Sequence, residues 1–328
     1  MRILIIHGDN RPPGSGGGAE SLLRDQAIAL KALGHEVSWW YGNGSIEEAI
    51  DTFKPDVCHL MTLHCYPMGI APALYIQERG IPHIWHIQDY WPFCQPRMLL
   101  IDGDRSCSAV NGVCDNSCGG KEANYLEIVN RSFVVAGNRF TAEIYRRNGL
   151  RCDAVVELGI DTNLFNPDLT KRNGNLSFYT ATAWPEQPVK GMHILKKAIA
   201  DLGIEVKLIT GQSRENVAAA LQQADVFIFP SCYEETFGLC LCEAMASGCA
   251  CIASDVAGAR AQIDDRVTGL LVPPRDPESL RAAIEYMINN KSHRESMGHV
   301  AYTHVRKDHT LEAMGKRWES VYLEVMNG

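Results

Sequence analysis

The stretch Ser231–Ile252, SCYEETFGLCLCEAMASGCACI, holds five cysteines and three glutamates in twenty-two residues. Clustered thiols suit a soft metal or a redox role, whereas spaced carboxylates suit hydroxyl-rich ligands. Just before it, Asp225–Pro230 (DVFIFP) reads as a buried strand, and a helical pattern follows from Gly238 and Leu239. The intervening loop therefore lies at the carboxyl end of a parallel strand, where open α/β sheets bind ligands. Glu235 falls in that loop, and Glu243 falls about one turn into the helix. The helix start between them offers backbone N–H groups and a positive dipole end to a phosphate. Carboxylates on either side of such a seat suit a sugar near the loop and a ribose near the helix.

The elements that must position these groups recur along the chain. Arg2–Gly8, Glu36–Tyr41, Asp56–Met61, Ile84–Ile87, Ser132–Ala136 and Ala154–Leu158 read as strands, with a helix over Ala19–Leu33 closed by Gly34. A second series runs through Leu176–Ala181, Glu205–Thr210, Asp225–Pro230, Ala250–Ser254 and Gly269–Val272. Short apolar runs alternating with helical patterns predict parallel sheets covered by helices. The expected fold is α/β, with two Rossmann-like domains. Turn formers and charges in Asp161–Asn175 place the boundary there. That gives a domain over 1–160, a second over 161–310, and a helix over 311–328 expected to pack back on the first domain. The stretch 92–124 loses its apolar period and reads as a cysteine-rich insertion.

Composition excludes several function classes. The net charge is −8, divided as −6 over residues 1–170 and −2 over the remainder. Neither half carries the basic surface that drives nucleic-acid binding. The cluster Arg146, Arg147 and Arg151 leaves peripheral membrane contact open, with a solvated helix end as its plainer reading. No apolar run reaches the roughly 18 residues of a bilayer span, and the apolar stretch Ile3–Ile6 is shorter than a signal-peptide core. Twelve cysteines without an export signal are expected to stay reduced, which places the protein in the cytoplasm.

The motifs together resemble the retaining glycosyltransferases of family GT4, which have the GT-B fold. Glu235–Glu243 (ETFGLCLCE) has the E-x7-E spacing, preceded by Pro230-Ser231 and followed by Ala244–Gly248 (AMASG). Gly16–Gly18, Ala19–Leu23 (AESLL) and Leu33–Val37 (LGHEV) resemble the family's glycine-rich loop, first helix and second strand. Gly159–Pro167, Lys190-Gly191 and Gly269–Leu280 resemble its interdomain segment, donor-phosphate lysine, and late strand and helix.

The resemblance implies transfer of a sugar from a nucleotide-diphosphate sugar to a glycan, lipid-linked or small-molecule acceptor in the interdomain cleft, with retention of configuration. It implies that Glu235 binds donor-sugar hydroxyls and supports charge at the anomeric carbon, while Glu243 holds the ribose. Lys190 and the amides of Phe237, Gly238 and Leu239 would take the diphosphate, with Gly16 and Gly17 reaching it from the other domain. No cofactor is then needed for chemistry, since fixed donors and a lysine neutralise the leaving diphosphate. A nucleotide-sugar epimerase of the same fold, or a catalytically weakened nucleotide-sugar-binding subunit, are the alternatives.

Two departures from the family pattern stand out. Thr182–Val189 (TAWPEQPV) lacks the arginine that the family places about five residues before the lysine. In Trp85–Trp91 (WHIQDYW), Gln88 stands where the family has histidine, and it cannot exchange a proton. Gln88 and Asp89 are expected to face sugar or acceptor. His86, on the same strand face as Gln88, serves either chemistry or the core.

The cysteines divide into two groups. Cys94, Cys107, Cys114 and Cys118, in the insertion, are expected to hold a structural zinc, with free or disulfide-paired thiols as the alternative. Cys232, Cys240, Cys242, Cys249 and Cys251 read as small apolar filler. Asp102-Gly-Asp104 reads as turn chemistry, and Gly14–Ala19 is too far from its strand for a dinucleotide fingerprint.

Overall fold

The computed structural model describes residues 1–8, 18–42, 44–61, 63, 69–94, 99–101, 105–111, 125–172 and 174–328. It divides into two compact units. One comprises Met1–Ile101, Ser106–Gly159 and Leu311–Gly328; the other comprises Asp102–Arg105 and Ile160–Thr310.

The first unit is built on six parallel strands. In chain order its elements are β1 (Arg2–His7), α1 (Gly18–Ala32), β2 (Glu36–Trp40), α2 (Ile46–Phe53), β3 (Val57–Met61), α3 (Ala71–Glu78) and β4 (His83–Ile87). A two-stranded ribbon follows, β5 (Leu100–Ile101) and β6 (Arg105–Ser106), then α4 (Tyr125–Val129), β7 (Phe133–Ala136), α5 (Arg139–Arg147) and β8 (Ala154–Val155). The sheet order is β2-β1-β3-β4-β7-β8. Residues Ile3, Leu4, Ile5 and Ile6 are at most 1% exposed. A strand so covered on both faces needs a continuous apolar run, and the sequence supplies one. Gly34 ends the first helix with φ +86, a conformation glycine adopts without steric cost. The run Ala154–Leu158 is shorter as a strand than its apolar residues suggest, because only Ala154 and Val155 pair with β7. In the basic cluster, Arg146 donates to the Cys152 carbonyl at 2.8 Å, while Arg147 and Arg151 pair with Glu143 and Asp153.

The second unit has five parallel strands. Its elements are β9 (Phe178–Ala181), α6 (Met192–Ile199), β10 (Val206–Ile209), α7 (Arg214–Leu221), β11 (Val226–Phe229), α8 (Leu239–Ala246), β12 (Ala250–Ser254), α9 (Ala257–Gln262), β13 (Gly269–Val272), α10 (Pro277–Asn289) and α11 (Lys291–Asp308). The order is β10-β9-β11-β12-β13. Phe178, Val226, Ile228, Ile252 and Leu270 of the strands pack with Ile194, Leu195, Leu280, Ile284 and Met297 of the helices. α11 approaches the sheet closely at Gly298, where a Cβ would sit 2.5 Å from the Gly248 carbonyl oxygen.

The last helix, α12 (Leu311–Asn327), belongs to the first unit. At Gly315 a side chain would press within 3.2 Å of Ala29 on α1. Trp318 and Tyr322 of α12 are fully buried. Tyr322 Oη lies 2.7 Å from His59 Nδ1, and Gln26 Nε2 donates to Tyr322 Oη at 3.0 Å. A buried polar group that gains such partners avoids the desolvation cost of an unpaired one. Among the described residues no helix is long and apolar enough to cross a membrane.

Candidate functional site

In the second unit the strand order reverses between β9 and β11: β10 lies to one side of β9, and β12 and β13 continue beyond β11. Connections leaving two adjacent strands on opposite sides open a crevice at their carboxyl ends. Lys190 follows β9 and Glu235 follows β11, so both belong to that edge. A short 3-10 turn, Pro188–Lys190, ends in Gly191 at φ 71. A Cβ on Gly191 would lie 1.7 Å from the Pro230 carbonyl oxygen. Only glycine lets the two backbones meet this closely. The contact is secured by the Cys232 amide donating to the Val189 carbonyl at 2.7 Å and by the Arg275 guanidinium donating to the Cys232 carbonyl.

This clamp brings the Lys190 ammonium to 2.8 Å from Glu235 Oε1. Tyr233 joins them, donating to Glu235 Oε2 at 2.6 Å and receiving Lys190 Nζ at 3.3 Å. The side chains of Lys190 and Glu235 are only 18% and 13% exposed. Burial works to lower the Lys190 pKa, but the adjacent Glu235 carboxylate outweighs it, and the net shift is upward. A mostly buried ion pair with a third hydrogen-bonding partner keeps both charges compensated.

The two adjacent glutamates divide their roles. Glu234, 7% exposed, accepts the Ala257 amide at 2.6 Å at the start of α9. Burial raises its pKa against the pull of that amide and of Arg260. The Glu235 carbonyl accepts the Gly258 amide at 2.7 Å, and the Phe237 carbonyl accepts Gln262 Nε2 at 2.5 Å. These bonds fix the backbone of the loop. Gly238, at φ 87, caps α8, and the amides of Phe237, Gly238 and Leu239 meet no acceptor among the described residues. Orphan amides at a helix start are an anion seat.

Glu243 lies on α8, 8% exposed, with its Oε1 3.5 Å from Nη2 of Arg214. Arg214 begins α7, and its guanidinium stands 5.2 Å from the centre of the Phe165 ring. Sequence reasoning did not find this arginine: it lies after β10, outside every motif, and only the neighbouring helices bring it to Glu243. Among the cysteines, Cys232, Cys242, Cys249 and Cys251 are at most 2% exposed. Among the described cysteines only Cys240 is half-buried, its thiol 3.7 Å from the Ala181 carbonyl and pushed up to about 12 by burial.

The first unit holds the other predicted residues. Gln88 and Asp89 follow β4 and are partly exposed. Asp89 Oδ1 accepts the Trp91 amide at 2.9 Å, and Tyr145 Oη donates to the Ile87 and Asp89 carbonyls at 3.1 Å, fixing this turn. His86 is 1% exposed and packs edge-on against Trp318 and His59, ring centres 4.9 and 5.6 Å away. Burial lowers its pKa to about 3. Of its two readings, burial and these ring contacts fit the core one. Cys94 and Cys107 are buried. Gly16, Gly17, Cys114 and Cys118, with Asp102 and Asp104, lie outside the described residues. Among the described residues no three His, Cys, Asp or Glu side chains are grouped as metal ligands.

Comparison with known proteins bears on the same segment. Residues 189–304 match the family model of glycosyl transferases group 1. A stretch of 129 residues is 32% identical to D-inositol 3-phosphate glycosyltransferase of Corynebacterium aurimucosum, covering 39% of this chain and 30% of that protein. The chain thus spans about a third of that relative's length. Sucrose-phosphate synthase from Thermosynechococcus elongatus superimposes with a TM-score of 0.78 at 18% identity, over 99% of each chain. HepE from Anabaena, solved with UDP and glucose, gives 0.72 at 17% identity, over 99% of this chain and all of its own. Two parallel-sheet α/β domains of the GT-B class thus form the fold, and the segment carrying Lys190, Glu235 and Glu243 is the one that matches the model of glycosyl transferases group 1.

Proposed function

We propose that this protein is a hexosyltransferase-type enzyme of family GT4 that moves a sugar from a nucleotide-diphosphate sugar to a glycan, lipid-linked or small-molecule acceptor, with retention of anomeric configuration. The observation that carries the reading is the Lys190–Glu235 pair, 2.8 Å apart at the strand-order reversal between β9 and β11. Beside it lies the amide-rich start of α8. A diphosphate seated on the amides of Phe237, Gly238 and Leu239 draws the Lys190 ammonium toward itself. That releases Glu235 Oε1 for a sugar hydroxyl. As the anomeric bond to the diphosphate breaks, negative charge grows on the phosphate and positive charge on the sugar ring. Fixed amides and Lys190 stabilise the first without reorganising, and the Glu235 carboxylate stabilises the second. The same donors supply the charge neutralisation for which other enzymes use a divalent cation, so no cofactor is assigned to the chemistry. Glu243, one turn into α8, takes the ribose.

Gln88 and Asp89 are assigned to the sugar or acceptor, and Gly16 and Gly17 to the diphosphate. Retention follows from the family resemblance and from no distance in the site. A structural zinc on Cys94, Cys107, Cys114 and Cys118 is part of the same reading. A cytoplasmic setting, in which the cysteines stay reduced, belongs to the same reading.

The test is a panel of UDP-, GDP- and ADP-hexoses with and without sugar, polyol and glycolipid acceptors. Nucleotide release that depends on an added acceptor supports transfer. Interconversion of the free sugar nucleotide would instead make the protein an epimerase, and binding without turnover on any pairing would make it a binding subunit.

A further inference from the structure

The segment between β9 and Lys190 holds no arginine or lysine, and the next cation along this edge of the sheet is on α7. Arg214 stands at the first position of α7, behind the cap Ser213. A helix dipole disfavours a cation there. A residue placed against its local preference points to a compensating interaction. That interaction is the Glu243 carboxylate at 3.5 Å, with side chains 12% and 11% exposed. The Phe165 ring, 5.2 Å from the guanidinium and itself fully buried, provides a wall on which the arginine rests. α7 follows β10 and α8 follows β11. The pair therefore ties together two helix starts at the carboxyl edge of one sheet.

We propose that Arg214 is the positioning residue for the nucleotide half of the donor, acting through Glu243. The inference rests on the assignment of Glu243 to the ribose. An ionised carboxylate only accepts hydrogen bonds and can take two hydroxyl donors at once. The Arg214 guanidinium, 3.5 Å from Oε1, attracts the carboxylate and favours one position of it. Arg214 thus turns Glu243 into a fixed double acceptor that distinguishes a ribose from a sugar lacking one hydroxyl. It acts on binding of the donor, whereas Lys190 and Glu235 act where the bond breaks.

The test measures affinities for UDP, GDP and ADP and their 2′-deoxy counterparts by titration, in the wild type, Glu243→Gln, Arg214→Met, Arg214→Lys and the double variant Arg214→Met/Glu243→Gln. Methionine keeps an apolar stem against Phe165. For the nucleotide that binds best, Arg214→Met is expected to weaken binding about tenfold and to bring the ribo-to-deoxy preference down to that of Glu243→Gln. The double variant should bind within about twofold of Glu243→Gln, since the two residues act as one unit. Arg214→Lys should regain part of the preference, and kcat at saturating donor should change by less than about threefold while KM rises. If Glu243→Gln leaves the ribo-to-deoxy preference intact, the ribose assignment falls and this proposal falls with it. If Glu243→Gln abolishes the preference but Arg214→Met retains it, or if the two losses multiply in the double variant, the role of Arg214 alone is refuted.

Discussion

Lys190 and Glu235 stand forty-five positions apart in the chain and meet at 2.8 Å. Each follows a different strand of the pair β9 and β11, and the Gly191–Pro230 approach holds the two turns together. The pair compensates itself, so a bound diphosphate must compete with Glu235 for the ammonium. Replacing Lys190 by methionine removes a charge-assisted contact worth about 1.5–3 kcal/mol. Binding of a nucleoside diphosphate should weaken about 10- to 100-fold, whereas binding of the bare nucleoside should change little. Calorimetric titration of both ligands distinguishes this from general loss of structure.

The same pair sets a pH expectation. The Lys190 pKa is raised above its usual 10.5 in the folded state. Its stabilisation is therefore fully present below pH of about 10.5 and is lost only as pH rises through the folded value. Diphosphate affinity should carry no Lys190 titration between pH of about 7 and 9, measured by titration in matched ionic strength.

Gly191 is predicted to be the least replaceable glycine of the second unit. Alanine there adds a methyl 1.7 Å from the Pro230 carbonyl oxygen on a backbone at φ 71. Strain of that conformation costs about 1–3 kcal/mol, and the overlap adds to it by forcing the two turns apart. Gly174, at φ +85 with nothing within 4 Å, should cost only about 1–2 kcal/mol as alanine. Urea denaturation of the two variants side by side tests the difference.

The first unit should lose stability in acid through its buried histidines. His59 is held well below its usual value and His86 down to about 3, both chiefly by burial. Below pH of about 6.5 the unfolded chain takes up protons that these imidazoles refuse in the fold. Stability should then fall by about 1.4 kcal/mol per pH unit for each histidine. Tyr322→Phe, which removes the hydroxyl beside His59 Nδ1 and Gln26, should cost about 1–3 kcal/mol at neutral pH. Urea midpoints at stepped pH read both effects.

If Cys94, Cys107, Cys114 and Cys118 hold a zinc ion, purified protein should contain about one zinc per chain and the Cys114→Ser variant should contain little. Elemental analysis decides it, and a folded, metal-free wild type would reject the assignment.

The architecture was legible because the central strands, such as β1, β3, β11 and β12, are short apolar runs covered on both faces. Ala250–Ser254 and Gly269–Val272 occupy the same residues in sequence reading and structure. The positions of Glu235, in the loop after β11, and of Glu243, on the helix that follows, were legible from the strand pattern. What the sequence could not carry was pairing across the chain. The adjacent Glu234 and Glu235 look alike in the string, yet one caps α9 and the other meets Lys190. Arg214 has no motif, and its link to Glu243 exists only once α7 and α8 are placed together. His86 and Gln88 share a strand face by parity, but Trp318, more than two hundred residues later, encloses the first. Cys240 reads like its neighbours and differs from them only because its turn of α8 borders Lys190 and Glu235.

The most direct test of the account is turnover by Glu235→Gln on the best donor and acceptor from the panel. The substitution keeps the side chain's size and removes the charge assigned above to the developing positive centre. The account predicts that kcat falls about 100- to 1000-fold, while affinity for the nucleoside diphosphate is kept or rises, because Lys190 no longer has an ionised partner to leave. Unchanged turnover, or loss of nucleotide affinity with kcat preserved, would contradict it.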